Sequence, residues 1–124
     1  MINATEALVQ RKLTLAFISA DSVQITLTPA TFASNGSGGR KRVDGLPRLP
    51  QAMRLIPQGS TVNTERETLD GVSVQPTMVL LGAFDAGMER GDRFVTNGFR
   101  YEIVFVHDKR DYEAKGEVIT RGVA

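Results

Sequence analysis

The 124-residue chain has no cysteine, no tryptophan, a single histidine and only two tyrosines. Lack of cysteine excludes disulfides and thiolate metal sites, and fits folding in a reducing compartment. His107, next to Asp108, falls in an expected turn and reads as a solvent-facing side chain. One histidine supplies too few ligands for a convergent metal centre, so no metal and no other cofactor is expected. No stretch approaches the run of about 18 apolar residues that spans a bilayer. The opening MINATEALVQRKLTLAFISADS also lacks the basic-then-apolar order of a secretory signal. The expectation is a soluble protein with no membrane partner, residues 1–124 forming one domain by the usual size prior. Charge is nearly balanced, with 15 Lys plus Arg against 14 Asp plus Glu, so any electrostatic argument must be local.

Catalytic patterns are missing as well. Ser37 lies among glycines without the Gly-x-Ser-x-Gly elbow that holds a nucleophile. The run Gly-Ser-Gly-Gly-Arg-Lys-Arg lacks the Gly-Lys-Ser/Thr ending and the following apolar helix of a phosphate loop. Glu113 and Glu117 share a strand face with Lys115 between them, which reads as an exposed, self-neutralising charge row rather than an acid–base pair. No catalytic residue is assigned, and the chain does not read as an enzyme. Phe94, Phe99, Tyr101, Phe105 and Tyr112 alternate with Val and Ile as core residues do, so base stacking is disfavoured against packing.

Asn3 followed by Glu6 has the form of a helix start, the Asn oxygen accepting from an exposed N–H. A helix over 4–19 follows, with Leu8, Leu15, Ile18 and the stem of Arg11 on one packing side. Its functional reading is docking on a neighbouring subunit through Arg11 and Lys12. Val23, Ile25 and Leu27 alternate with polar residues as a half-buried strand closed by Pro29. Residues 30–51 then lose all apolar period and read as one long basic glycine-rich loop, functional or disordered until a partner orders it. Arg40, Lys41, Arg42 and Arg48 stand there against Asp44 alone, giving +3 on this stretch and leaving −2 for the rest of a chain of net +1. Gly36, Gly38 and Gly39 let backbone N–H groups approach a phosphate or a partner closely. Residues 52–57 read as a short strand, 61–68 as a strand or loop of undecided state, and Leu69-Asp70-Gly71 as a turn. Residues 72–82 read as a run buried on both faces near its end, limited in its first half by Pro76.

The terminal stretch 91–122 is the most sharply patterned. Asn97-Gly98 tolerates the positive φ angles of a type I′ turn. After it, Phe99, Tyr101, Ile103 and Phe105 share one strand face, and Val104 and Val106 make the other face apolar, as in a central strand buried on both sides. A second turn at 107–111 leads to a third strand, completing a β-meander. Together these elements predict a mainly β fold: a small antiparallel β-barrel of about five to six strands with an N-terminal helix and a long basic loop.

Gly91, Asp92, Phe94, Gly98, Tyr101, Glu102, Val104 and Val106, followed by Tyr112, Glu113, Lys115, Glu117, Val118, Arg121 and Gly122, resemble the end of small head-closure (head completion, or head-to-tail stopper) proteins of long-tailed bacteriophages. The order of helix, strand, glycine-rich loop, apolar strand and meander extends the resemblance over most of the chain. It implies a small β-barrel without catalysis that forms a ring, a hexamer or dodecamer, at the virion neck after assembly in the host cytoplasm. The implied partners are further copies of itself, the portal or head–tail adaptor ring, the tail-terminator ring, and packaged DNA through non-specific phosphate contacts. A loop would close the channel and the barrel would offer the tail-docking surface. Either 30–51 or 61–70 can supply that loop. Arg40, Lys41, Arg42 and Arg48 are the candidates for DNA or adaptor contact, with Gly36, Gly38 and Gly39 as the hinge; Arg11, Lys12, Glu113, Lys115 and Glu117 are candidate ring-interface charges. A tail-terminator ring protein and a monomeric nucleic-acid-binding barrel are the alternatives.

Overall fold

A computed structural model describes residues 3–34, 36, 40–57, 65–108 and 110–124. Helix α1 spans Ala4–Ala20, and Asn3 caps it by accepting from the Glu6 N–H at 2.8 Å. Ten strands follow: β1 Val23–Ile25, β2 Ala30–Ser34, β3 Arg40–Asp44, β4 Gln51–Pro57, β5 Arg66–Glu67, β6 Ser73–Val74, β7 Met78–Gly82, β8 Arg93–Thr96, β9 Phe99–Val106 and β10 Ala114–Val123. Six of them form one antiparallel sheet in the order β1-β4-β7-β10-β9-β8. Its two edges meet where Thr28 and Arg93 exchange backbone hydrogen bonds of 2.8 and 2.9 Å, so the sheet rolls into a nearly closed barrel. The mainly β barrel with an N-terminal helix is the predicted fold. β2–β3 and β5–β6 are separate hairpins laid beside it.

Local chemistry explains the meander. Asn97 and Gly98 have φ of 51° and 82°, the left-handed pair that lets a two-residue turn join β8 to β9. The core is the barrel interior, where Ile25, Leu27, Met53, Leu80, Ile103 and Val118 are almost wholly shielded and Phe94 stacks on Tyr101 with centroids 5.1 Å apart. Met88 closes one end. A side chain at Gly116 would bring a Cβ within 3.2 Å of both its sulfur and Ile103, so glycine there makes room for the plug.

Two expectations about packing are corrected. Phe105 does not continue the core face of Tyr101 and Ile103. Between Val118 opposite Ile103 and Glu117 opposite Phe105 the register slips by one, leaving Val104 as an extra residue in a β-bulge. Beyond it the alternation inverts: Val106 packs against the core, and Phe105 turns outward, half-buried beneath Arg66. The helix differs too. Its buried residues are Ala7, Thr14 and Ile18, whereas Leu8 and Leu15 are exposed. Arg11 stacks over Phe84 at 3.8 Å and donates to the Asp111 carbonyl, and Arg54 stacks over Phe17 at 4.0 Å and donates to the Phe17 carbonyl. Cation–π and carbonyl contacts, more than apolar burial, therefore hold the helix to the barrel.

The bulge makes a direct test possible. Ile103→Ala should lower unfolding stability by about 2–5 kcal/mol, the cost of a core cavity, and Phe105→Ala by less than half as much, read by urea denaturation. Equal losses would place both side chains on the core face and remove the bulge from the account.

Candidate functional site

The basic stretch 30–51 was the foremost sequence candidate, and its described residues are not an extended loop. β2 and β3 pair in register from Ala30 opposite Asp44 to Ser34 opposite Arg40, and Gln51 already belongs to β4. Gly36 takes φ of 83° in the connection between them, while Gly38 and Gly39 lie outside the described residues. The apolar period fails in this stretch because the hairpin lies beside the barrel and contributes little to its core.

Two of the four cations are committed within the chain. Arg42 keeps only 13% of its side chain exposed, donating to Asp44 at 3.0 Å and to the Gly91 carbonyl at 2.8 Å, and approaching Glu102 at 3.9 Å. Arg48 donates to both oxygens of Asp92, at 3.0 and 3.4 Å, while its N–H bonds the Leu27 carbonyl. Asp92 is 1% exposed, so this pair is a fastening and not a reserve of charge for DNA. The hydrogen bonds from Arg48 to Asp92 are the main cause that raises the Arg48 pKa above its ordinary value. Lys41 is exposed on β3, and Arg40 occupies the first position of the same strand. The expectation that Arg42 and Arg48 face a partner is thereby corrected.

Glu117 is corrected as well. It is 4% exposed rather than part of an open charge row, because Arg66 of the β5–β6 hairpin covers the outer face of β10 on which it lies. Arg66 donates to both its oxygens at 3.0 and 2.9 Å while lying 3.6 Å over the Phe105 ring. His107 is half-buried, not solvent-facing: its Nε2 lies 2.8 Å from Glu117 and its ring stands edge-on to Phe105. Burial alone would raise the Glu117 carboxyl. The Arg66 hydrogen bonds and charge, with His107, outweigh it and hold the group below its usual 4.5. Glu113 accepts from Arg110 at 3.3 Å, and Lys115 is half-buried.

Glu102 completes the set. It is 3% exposed and receives Arg93 at 2.7 Å, with Arg121 at 3.8 Å and Arg42 at 3.9 Å. No motif marked this cluster, although Arg93 and Glu102 become cross-strand neighbours once the Asn97-Gly98 turn sets the register.

Helix α1 carries the remaining surface. At about 3.6 residues per turn, Val9, Leu13, Ala16 and Ala20 lie opposite the stripe that faces the barrel, with Phe17 on the flank between. Val9 is 52% and Leu13 64% exposed, and both point away from the helix's own domain, whereas Ile18 is buried against it and Phe17 lies beneath Arg54. Lys12 is exposed on the same outer half, and Arg11 is drawn inward onto Phe84. Among the described residues no group of three or more His, Asp or Glu converges as a metal site.

No protein-family model matches the chain, and no curated protein matches it.

The Glu117 cluster sets a pH dependence. A carboxyl held low in the folded state contributes its full stability above 4.5 and loses it as the pH falls through the depressed native value. Glu117→Gln should melt below the parent at pH 7, and the gap should close on acidification toward pH 3, followed by thermal melts. A gap independent of pH would show that the carboxylate charge contributes nothing.

Proposed function

We propose that this protein is a structural subunit of the neck of a long-tailed bacteriophage. In this reading it assembles as a ring under the portal or adaptor, closes the head channel, retains packaged DNA and forms the surface on which the tail docks. The observation that carries it is the outer face of α1, where Val9 and Leu13 face solvent while Ala7, Thr14 and Ile18 face the barrel. A helix apolar on all sides is ordinarily buried on all sides. Val9 and Leu13 form an exposed apolar strip on the outer face, with Leu8 and Leu15 exposed on one flank of the helix and Phe17 on the other. A neighbouring subunit covers it in a ring, where each copy presents one surface and receives another.

The resemblance of the terminal meander to head-closure proteins supports the same reading, and so does the barrel that carries it. The β2–β3 hairpin is the element assigned to the channel, with Lys41 exposed on it. Weak contacts per subunit gain strength through repetition around the ring.

Cryo-electron microscopy of the particle carrying this chain tests the role. Density in a ring between portal and tail is expected. Density in the first tail ring would replace closure by tail termination, and absence from the neck would end the proposal. The double variant Val9→Asp, Leu13→Asp should fold with stability changed by about 0.5 kcal/mol or less per exposed site, yet fail to join particles. Normal incorporation of that variant would remove α1 from the interface.

A further inference from the structure

We infer that the seam of the barrel, between β1 and β8, is a binding cleft for the phosphodiester backbone of DNA. The inference deepens the neck reading and rests on it for the identity of the nucleic acid. After the Thr28–Arg93 pairing the two edge strands have no further mutual ladder, and a cleft of about 610 Å³ opens between them. Gln24, Thr26 and Thr28 line one lip; Arg93, Val95 and Arg100 line the other, with Asp44 of β3 also on the wall. Strand alternation continues from Thr28 and Arg93, so the backbone groups of Thr26, Gln24 and Val95 are the ones turned into the seam. Hydroxyls, an amide, peptide N–H groups and guanidinium groups together are the donor set that recognises phosphate oxygens without reading base sequence.

Charge favours an anion there. Among the described residues Glu102 pairs with Arg93 and Arg121 and is approached by Arg42, whose other carboxylate partner is Asp44, and Asp70 stands near Arg93 and Arg121 as well. Arg42, Arg93 and Arg121 are thereby balanced by Asp44, Glu102 and Asp70, and the charge left for a ligand at the cleft is that of Arg100. Arg100 is exposed and has no ion pair among the described residues. The cation count in the sequence pointed to the β2–β3 hairpin, but Arg42 and Arg48 are spent inside the fold; the uncompensated charge stands at the seam. The cleft is larger than a single phosphate fills and suits a run of backbone. Lys41, on the hairpin that supplies Asp44, extends the positive surface beyond it.

The test is fluorescence anisotropy of a labelled 20-base-pair duplex, and of one of its single strands, titrated with the purified protein from low to moderate salt. The expected result is salt-dependent binding that Arg100→Glu weakens by about tenfold or more, with the salt slope reduced by about one phosphate contact, and that Arg100→Lys largely restores. Thermal melts of the Arg100 variants should match the parent, since the side chain makes no ion pair. Absence of duplex and single-strand binding by the parent overturns the cleft, as does an Arg100→Glu variant that binds like the parent. Loss through Lys41→Glu alone would move the contact to the hairpin, and displacement of the duplex by millimolar inorganic phosphate would reduce the cleft to a free-anion site; both outcomes overturn the inference. A neck ring built from an Arg100→Glu protein that binds DNA normally rejects the cleft and keeps the neck role. DNA binding lost in that variant, from a chain absent from the neck, does the reverse.

Discussion

Three buried carboxylates, Asp92, Glu102 and Glu117, impose the constraint on which the rest of this fold depends. Each is almost wholly shielded and each is met by arginine. A carboxylate taken from water without a partner costs several kcal/mol, so the chain must return a cation to each position to fold at all. Asp92 draws in Arg48 and with it the crossing from β3 to β4. Glu102 draws in Arg42 and lays the β2–β3 hairpin along the barrel. Glu117 draws in Arg66 and lays the β5–β6 hairpin over β9 and β10. Segments with little apolar content are thereby fastened by charge to a wall that hydrophobic burial built.

The same logic explains why the molecule's charge is not where composition put it. A run of Arg-Lys-Arg reads as an open patch when one of the acids that will meet it, Glu102, is far along the chain from Arg42. Folding engages Arg42 and Arg48 and leaves Arg100 without an ion pair among the described residues. Electrostatic surfaces are differences between nearby charges, and nearness is a tertiary property.

The helix presents the complementary case in apolar surface. Small residues at Ala7 and Thr14 let α1 lie close on the barrel, while Arg11 and Arg54 secure it through aromatic rings and carbonyls. Val9 and Leu13 are then left outside, and the proposed ring role rests on that exposed strip.

Local sequence determined the elements that depend on local physics: the Asn3 cap and its helix, the two-residue turn at Asn97-Gly98, the alternation of β9, and hence a meander at the end of a mainly β barrel. These follow from side-chain reach and permitted φ within a few residues. The β2–β3 hairpin was not legible, because its strands pair only with each other and present no face to the barrel core that would impose an apolar period. Phe105 was misplaced because a one-residue bulge opposite Glu117 inverts the alternation, and a bulge leaves no mark in the strand that bears it. The face of α1, the burial of Glu117 and the contact of His107 with it were decided only in three dimensions. Each depends on which groups from distant parts of the chain arrive together; at Glu117 the cost of an unpaired buried charge selects the arrangement, and at α1 the fit of small residues and of Arg11 and Arg54 does.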